Sequence, residues 1–292
     1  MITVKLMGGL GNQLFQYAAA RRLSHFSNAR LQLDLSWFSL CSNADTARAY
    51  ALHPFHILED CPAPAVLSQF PAPFPKLTAL ARRFSPFRGH YLKEKHFHFD
   101  PELLLPRKEA YLDGYWQSER YFQDIREILL KEFTVKTAPA GLNRSLADQI
   151  QSDSVASVAL HIRRGDYVNN LLVHNFHGTC SLEYYQAAIS KMVSLLPKAH
   201  FFLFSDDPGW VTSSFVVDHP FTLVSHNGPE AAHEDLRLMS LCRHHIIANS
   251  TFSWWGAWLS QGVDKTVVAP TRWFAADKPD ARDVIPESWV RI

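Results

Sequence analysis

The alternation of apolar and polar residues at the start of the chain predicts a strand, a glycine turn and a helix. Residues 2–7 form an extended apolar run, residues 8–11 are rich in glycine, and residues 12–26 carry apolar side chains at helical spacing. A second strand is expected over residues 31–35. The pattern then degrades, and the stretch 62–90, rich in proline and phenylalanine, is interpreted as an insertion with at most one short helix.

Regular structure resumes at residue 110, and from residue 155 strands and helices alternate. The expected strands are 110–113, 155–163, 199–205, 221–224, 245–248 and 266–269, and the expected helices are 121–133, 182–196, 230–242 and 252–260. Strands that alternate with helices indicate an α/β fold with a parallel, doubly wound sheet. The composition changes over residues 134–141, so the two domains are expected to be 1–145 and 146–292.

The charge balance and the cysteines exclude several classes of protein. The 29 Lys and Arg residues face 28 Asp and Glu residues, a formal net charge of +1, so nucleic acid is not an expected partner. The cysteines at 41, 61, 180 and 242 form no C-x-x-C pair, which argues against a zinc site or a disulfide framework and favours a reduced, cytoplasmic compartment. Neither a signal peptide nor a transmembrane helix is predicted, because polar residues interrupt the apolar runs at the amino terminus and over 244–263.

The glycine turn after the first strand reads G-G-L-G-N-Q-L-F-Q from residue 8. Its glycines, among them Gly9 and Gly11, let a ligand approach the backbone, and the helix start that follows offers free N–H groups. Leu14 stands where a dinucleotide fingerprint needs its third glycine, so the loop is not that motif. Asn12 and Gln13 place two amides at the helix start and favour ligand binding over the alternative, a tight turn that needs glycine.

The sequence H-I-R-R-G-D-Y, from His161, stands at the carboxyl end of an apolar strand, where open α/β sheets bind their ligands. Side chains alternate along a strand, so Arg163 and Arg164 are expected to point in opposite directions. One arginine is expected to meet a diphosphate while the other pairs with Asp166 or packs. The alternative is a solvated ion pair at the strand end.

The sequence A-N-S-T-F-S-W-W-G-A-W, from residue 248, again predicts a strand, a turn and a helix. Its three hydroxyl groups and the free backbone N–H groups of the helix start form a phosphate cradle. Trp254, Trp255 and Trp258 are interpreted as core packing rather than as a sugar platform, because they follow helical spacing.

Two further segments bring carboxylates to the same edge of the predicted sheet, F-S-D-D at residues 204–207 and H-E-D-L-R-L-M-S at residues 233–240. A buried carboxylate there is able to accept hydrogen bonds from the N1–H and N2–H₂ groups of guanine, and a helix cap or surface acid is the alternative. No D-x-D, H-x-x-x-H or H-E-x-x-H sequence occurs in the chain, so neither a metal nor another cofactor is expected.

The chain resembles the bacterial alpha-1,2-fucosyltransferases, glycosyltransferase family 11, in motifs that run in family order from residue 8 to residue 258. They are G-G-L-G-N-Q-L-F-Q-Y-A, G-Y-W-Q-S-E from Gly114, H-I-R-R-G-D-Y, F-S-D-D and N-S-T-F-S-W-W-G-A-W. The resemblance implies a GT-B architecture, with two Rossmann-like domains facing a cleft. It also implies that the carboxyl half holds GDP-β-L-fucose and that the amino half shapes the acceptor site. The implied reaction moves L-fucose with inversion to the 2-hydroxyl of a β-galactoside on an oligosaccharide or a lipid-linked glycan.

The resemblance also implies roles for individual residues. In the related alpha-1,6- and protein O-fucosyltransferases an H-x-R motif binds the donor diphosphate, a serine-rich turn holds phosphate oxygens, and an aspartate binds guanine. The donor-binding residues implied for this chain are His161, Arg163, Arg164, Asp235, Ser250, Thr251, Phe252 and Ser253, with Gly9, Gly11, Asn12 and Gln13 lining the cleft. Arginine is expected to stabilise the departing GDP without a metal.

The resemblance does not supply the catalytic base. The alpha-1,6 relatives carry a glutamate ten residues after the motif histidine, where this chain has Leu171. Nearby ionisable residues are Asp166, His174 and His177, and a histidine whose pKa lies near the operating pH is a suitable proton acceptor. His177 precedes Gly178 and a helix start, as expected of a loop residue that faces a cleft. The expected catalytic residues are Arg163, Asp166 and His177, and a mechanism without a base is equally open.

Other functions remain as alternatives. Within the enzyme class the alternative is a fucosyltransferase of another linkage. A nucleotide-sugar-binding protein without turnover is disfavoured, because a binder does not need both the amide loop and the arginine motif. A Rossmann oxidoreductase is disfavoured, because this chain lacks the third glycine of the dinucleotide fingerprint.

The stretch from Lys76 to Lys95 holds six basic residues against the single acid Glu94. Such a patch is able to make a peripheral contact with anionic lipid on the inner face of the membrane, at about 1 kcal/mol for each basic residue. The favoured interpretation is a solvated, proline-broken loop, and the lipid contact is the alternative.

Overall fold

The computed structural model describes residues 1–40, 48–61, 91–165, 171–276 and 279–292. The insertion expected over 62–90, with most of the basic stretch, lies outside the described residues, and so does Asp166. The described chain forms two compact units, Met1–Thr134 and Val135–Ile292.

The first unit is built on a parallel sheet. Its described strands are β1 (Ile2–Lys5), β2 (Leu31–Asp34), β3 (Tyr91–Lys93) and β4 (Ala110–Asp113), in the order β2-β1-β4-β3. Helix α1 (Leu10–Ser27) buries Leu14, Phe15 and Tyr17 completely, which fixes the turn that connects it to β1. Strand β3 is not predicted from the sequence, because three residues are too few to show an alternating pattern.

The other helices in the described part of the first unit are short. They are α2 (Ser36–Leu40), α3 (Arg126–Glu132) and the 3₁₀ turns Pro101–Leu104, Glu119–Tyr121 and Gln123–Ile125. The single helix predicted over 121–133 is therefore wrong in its first half. Phe122 has a φ of −152° and lies between two 3₁₀ turns, and the complete burial of its side chain holds the chain in this non-helical conformation.

The second unit confirms the predicted parallel, doubly wound sheet. Its described strands are β5 (Ala156–Ile162), β6 (Ala199–Ser205), β7 (Phe221–Val224), β8 (His244–Ile246), β9 (Val267–Ala269) and β10 (Val290–Arg291), in the order β10-β9-β8-β5-β6-β7. Its described α-helices are α4 (Gly141–Ile150), α5 (Leu171–His177), α6 (Leu182–Leu195), α7 (Pro208–Ser214), α8 (Ala232–Leu241) and α9 (Thr251–Leu259).

The two faces of this sheet are covered by different helices. Leu160 and Ile162 of β5 pack in one cluster with Met192 of α6, whereas Ala159 packs in another with Met239 of α8. This division follows from the alternation of side chains along a strand. Because both faces are buried, the strands appear in the sequence as nearly continuous apolar runs.

The boundary between the units lies after Thr134 rather than at residue 145. Helix α4, which the expected boundary would cut, packs on α8 through Ala147 and Ile150, which share a cluster with Leu238 and Met239. Helix α4 therefore belongs to the second unit as a whole.

The tryptophans of α9 form part of the core, as the sequence predicts. Trp254 and Trp255 are fully buried and Trp258 is 4% exposed. The indole N–H of Trp254 donates to the carbonyl of Val284 at 2.8 Å. No helix in the described part of the chain is long and apolar enough to cross a membrane.

Candidate active site

His161 lies near the carboxyl end of β5, and its side chain is almost completely buried. Its ring centroid is 5.5 Å from that of Phe252. Burial lowers the pKa of His161 to about 4, against a smaller opposing effect of Asp206, so the imidazole is neutral at pH 7. Within the described residues its Nδ1 atom has no hydrogen-bond partner. The neutral imidazole therefore holds a buried nitrogen without a hydrogen-bond partner next to Phe252, at the start of α9.

Arg163 follows β5 and is held by Asp206, which follows the neighbouring strand β6. The Nη1 atom of Arg163 lies 2.9 Å from Oδ2 of Asp206, and Oδ1 of the same carboxylate accepts the backbone N–H of Arg164 at 2.8 Å. Both side chains of the pair are partly buried. A guanidinium fixed in this way is preorganised to stabilise an anion at this edge of the sheet.

Gly165 leaves room for this arrangement. A Cβ atom at this position would lie 2.5 Å from Oδ2 of Asp206, closer than real Cβ contacts allow. The held carboxylate therefore explains why glycine follows the two arginines.

The side chain of Arg164 packs on Trp210, and packing is one of the two outcomes expected for the second arginine. Its Cζ atom lies 3.8 Å from the centroid of the Trp210 ring, and its Nε atom is 3.6 Å from Oδ2 of Asp207. The other outcome, a pair with Asp166, falls outside the described residues.

The hydroxyl groups at the start of α9 differ in their surroundings. Ser250 is the N-cap residue and its side chain makes no capping bond, while Thr251 and Phe252 are partly buried. Ser253 is fully buried, and its hydroxyl lies within hydrogen-bond distance of the carbonyls of Ala248 and Ser250, at 3.2 and 3.1 Å. The structure thus places the Ser253 hydroxyl inside the turn, while the N–H groups of the first turn remain suited to a phosphate.

His177 is the last residue of α5, so its predicted position in a loop is wrong. The helix ends there because Gly178 has a φ of +65° and its N–H bonds to the carbonyl of His174 at 2.8 Å. The ring of His177 packs against Phe176 and Phe274, with centroids 4.9 and 5.5 Å away.

Asn249 connects this helix end to the start of α9. Its side-chain amide N–H groups lie 2.9, 3.2 and 3.3 Å from the carbonyl oxygens of His177, Gly178 and Trp273. Because Asn249 is almost fully buried, these bonds fix the positions of two loops relative to the candidate phosphate cradle.

Asp235 lies in the first turn of α8 and is neither an N-cap nor a fully exposed acid. Its Oδ1 atom accepts the side-chain amide of Asn227 at 2.7 Å, and Asn227 is also bonded to Asn143. Burial raises the pKa of Asp235 to about 6, and the bond from Asn227 opposes that shift. The carboxylate is therefore a partly desolvated hydrogen-bond acceptor.

The glycine loop of the first unit places its amides differently from the expectation. Gln13 is fully buried, and its amide bonds to the carbonyls of Gly8 and Ala49, both at 2.9 Å, and to the N–H of Ala51 at 2.8 Å. Its side chain therefore braces the neighbouring loop instead of extending to a ligand.

Helix α1 begins earlier than predicted, so Gly9 is its N-cap and Gly11 is buried in its first turn. Gly8 has a φ of +76°, and a Cβ atom there would lie 2.6 Å from Nδ2 of Asn12. Oδ1 of Asn12 accepts the amide N–H of Gln117 at 3.0 Å.

The sequence pattern brings Asp206 to this edge as part of F-S-D-D but does not pair it with Arg163, and it assigns no role in the site to Trp210 or Asn249. The sequence F-S-D-D contains the signal for Asp206. Strands β5 and β6 pair with Ile162 opposite Ser205, so the next residues along the two chains are Arg163 and Asp206. The partner of an arginine becomes visible only when the two strand ends are aligned.

Comparison with known proteins gives the family of this chain. The model of Glycosyl transferase family 11 matches residues 79–292. The O-antigen biosynthesis glycosyltransferase WbnK of Escherichia coli is 33% identical over 98% of this chain and 99% of its own length, and an alpha-1,2-colitosyltransferase of Escherichia coli is 34% identical over 100% and 99%. Galactoside alpha-(1,2)-fucosyltransferase 2 of Pongo pygmaeus is 23% identical over 89% of this chain and 69% of its own length.

Solved structures share the fold at low sequence identity. Fucosyltransferase NodZ from Bradyrhizobium has a TM-score of 0.53 at 15% identity, over 88% of this chain and 91% of its own. A variant of Arabidopsis thaliana FUT1 in complex with GDP has a TM-score of 0.52 at 14% identity, over 99% and 75%. These likenesses confirm the predicted GT-B class of fold with two Rossmann-like units. Together with the two Escherichia coli relatives, the family match over most of the sequence shows that this chain belongs to glycosyl transferase family 11.

Proposed function

We propose that this protein transfers L-fucose from GDP-β-L-fucose to the 2-hydroxyl of a β-galactoside, with inversion, forming an alpha-1,2-fucoside. Membership of glycosyl transferase family 11 supports transfer of a sugar, and two relatives are named for the alpha-1,2 linkage. The observation that carries the proposal is Arg163, clamped by Asp206 beside the neutral, buried His161.

The clamped guanidinium suits the chemistry of the leaving group. When the bond between fucose C1 and the diphosphate oxygen breaks, its electron pair stays on GDP and negative charge grows on the β-phosphate. Arg163 and the N–H groups at the start of α9 are the described groups that would stabilise this charge. Fucose lacks an electron-withdrawing 6-hydroxyl, so its oxocarbenium-like transition state is comparatively accessible, and stabilisation of the leaving group is expected to dominate.

A second candidate donor is GDP-linked colitose. The alpha-1,2-colitosyltransferase of Escherichia coli matches the chain over its whole length at a higher identity than the galactoside alpha-(1,2)-fucosyltransferase does. Colitose is L-fucose without its 3-hydroxyl, so the same diphosphate chemistry serves both sugars. Choice between them requires a group that hydrogen-bonds the 3-hydroxyl, since such a bond rejects an analogue that lacks the hydroxyl.

The decisive experiment offers GDP-L-fucose and GDP-L-colitose separately to the protein with a panel of β-galactosides, and determines the linkage of each product by NMR. An alpha-1,2-fucoside formed faster than the colitoside supports the proposal. Faster colitosyl transfer supports the second candidate, and another linkage contradicts both. Donor binding without a product would make the protein a nucleotide-sugar binder.

The acceptor is proposed to be a galactoside on an oligosaccharide or a lipid-linked glycan, and the panel therefore includes both. The proposal includes a peripheral lipid contact through the basic stretch. Sedimentation with anionic liposomes at low and high salt tests this contact, which is expected to weaken as salt rises.

A further inference from the structure

The turn Gly114–Ser118, at the end of β4, has no part in the proposed donor chemistry, yet its backbone is strained. Trp116 has a φ of +55°, a left-handed conformation that bulky residues rarely adopt. Its side chain is buried, and within the described residues its indole nitrogen has no hydrogen-bond partner. Strain of this kind persists only where the surroundings impose it, and it clusters at functional sites.

Glu94 imposes this conformation. Its Oε2 atom accepts the N–H of Tyr115 at 2.8 Å, and its Oε1 atom accepts the N–H of Trp116 at 2.9 Å. A Cβ atom at Gly114 would lie 2.4 Å from Cβ of Glu94. A larger residue at position 114 would therefore clash with Glu94 and keep its carboxylate from bonding to the turn. The two bonds use two of the roughly four acceptor positions of a carboxylate.

The same edge of the first unit carries further polar side chains. Glu94 follows β3, Gln117 lies beyond β4, and Asn12 lies beyond β1. These three strands are neighbours in the sheet, in the order β1-β4-β3. The hydrogen bond between Gln117 and Asn12 joins two of these strand ends. An acid and two amides at the carboxyl edge of a parallel sheet are a suitable set for the hydroxyl groups of a sugar.

The electrostatic surroundings of Glu94 suit proton transfer. Burial raises the pKa of Glu94 to about 7, against the opposing effect of the two N–H bonds, and Asp113 adds a smaller rise. Asp113 is itself bonded to Tyr91 and lies 3.5 Å from Nζ of Lys5. A general base is most effective when its pKa lies near the operating pH.

We infer that this edge of the first unit binds the acceptor sugar and that Glu94 is the base that takes the proton of its reacting hydroxyl. The inference rests on the proposed function. As the acceptor O–H bond breaks, its proton passes to the carboxylate of Glu94, and the acceptor oxygen forms a bond to C1 of the donor sugar. The bond from C1 to the diphosphate breaks with its electron pair on GDP, and Glu94 then returns the proton to water.

The test compares the pH dependence of kcat for four proteins between pH 5 and 9, namely wild type, Glu94→Gln, Glu94→Asp and His177→Asn. In wild type the rate is expected to fall on the acid side with a pKa near 7. Glu94→Gln is expected to lower kcat by about 100- to 10,000-fold and to remove that acid limb. Glu94→Asp keeps a carboxylate and is expected to keep the limb, and so is His177→Asn.

Glutamine is unable to accept the second backbone N–H bond, so folding is monitored by melting temperature and by the affinity for GDP. A Glu94→Gln protein with near-normal GDP affinity and lost transfer supports the role as base. If the limb disappears in His177→Asn, or persists in Glu94→Gln, the inference is wrong. If Glu94→Gln does not fold, an acid limb whose pKa moves in Glu94→Asp but not in His177→Asn supports the inference. A wild-type profile without an acid limb, or a limb that Glu94→Asp leaves unmoved, overturns it. A wild-type protein that transfers no sugar contradicts the proposed function itself.

Discussion

Arg163 and Asp206 follow two adjacent parallel strands and meet across their ends at 2.9 Å. The carboxylate of Asp206 is bonded on its other side to the N–H of Arg164, so it connects two consecutive residues of the arginine motif. The Asp206 side chain, at the end of β6, therefore fixes the Arg163 side chain at the end of β5, and Asp206 is a positioning residue for the proposed leaving-group chemistry.

Asp206→Asn is expected to lower kcat/KM by about 100-fold, because displacement of a catalytic group by about 1 Å has an effect of that size. Steady-state kinetics with saturating acceptor measures it. Asp207→Asn is the matched control, since Asp207 lies 3.6 Å from Arg164 and is more exposed. Equal losses in both variants would show that the clamp has no special role.

Arg163→Lys is expected to reduce kcat/KM by about 100- to 1000-fold although the charge is kept, because lysine lacks the planar fork that grips two oxygens. Arg164→Lys should have a smaller effect, since Arg164 is stacked on Trp210. If kcat/KM of Arg163→Lys lies within a few-fold of the wild-type value, phosphate binding must be assigned to Arg164 or to neither arginine.

Asp235→Asn is expected to weaken the preference for GDP over UDP and ADP, measured as the rise in melting temperature with each nucleotide. Because burial raises the pKa of Asp235 to about 6, the carboxyl protonates below that pH and loses its capacity to accept from guanine. Wild type should therefore also lose selectivity below pH 6. Asp148→Asn, an exposed acid of α4, is the control, and unchanged selectivity in Asp235→Asn would make Asp235 a structural acid.

Transfer is expected to continue in excess EDTA. The chain has no D-x-D sequence, and Arg163 with the start of α9 is able to neutralise a diphosphate. Initial rates with and without EDTA, followed by addition of Mg²⁺ or Mn²⁺, measure the effect. A complete loss that either metal restores would overturn this expectation.

Acid is expected to destabilise the fold through buried histidines. Burial lowers the pKa of His161 to about 4 and that of His245 well below its usual value. The unfolded chain takes up protons below pH 6.5 while the folded chain does not, so stability falls as pH drops from 6.5 towards 4. Each of these histidines lowers the free energy of unfolding by about 1.4 kcal/mol for each pH unit below 6.5, which corresponds to a fall of about 3–6 °C in melting temperature.

His245→Leu should make the melting temperature less dependent on pH in this range, whereas replacement of the exposed His53 by Asn should leave the dependence unchanged. The same slope in His245→Leu as in wild type would assign the acid sensitivity to other groups.

The sequence predicts the site wherever a residue stands next to a long apolar run. The positions of His161 and Arg163 follow from the seven-residue strand β5, because a buried parallel strand leaves a strong local pattern. The partner of Arg163 does not follow, since the choice between Asp166, Asp206 and Asp207 depends on the register of two strands far apart in the sequence.

Short elements are the other source of error. Strand β3 has three residues, and its only mark is its parallel pairing with β4, so Glu94 appears in the sequence as the lone acid of a basic stretch. Similarly, Gly178 is visible as a helix breaker, but nothing local shows that the helix lies before it and ends at His177.

The burial of Asn249 has a practical consequence for the choice of expression host. Asn249-Ser250-Thr251 matches the acceptor sequence for N-linked glycosylation, and a secretory host attaches the glycan to the same nitrogen that bonds three carbonyls in the fold. A glycan added before folding would prevent the amide from reaching its place between the loops. Secretory production should therefore give glycosylated, misfolded protein, and production in bacteria should avoid this loss.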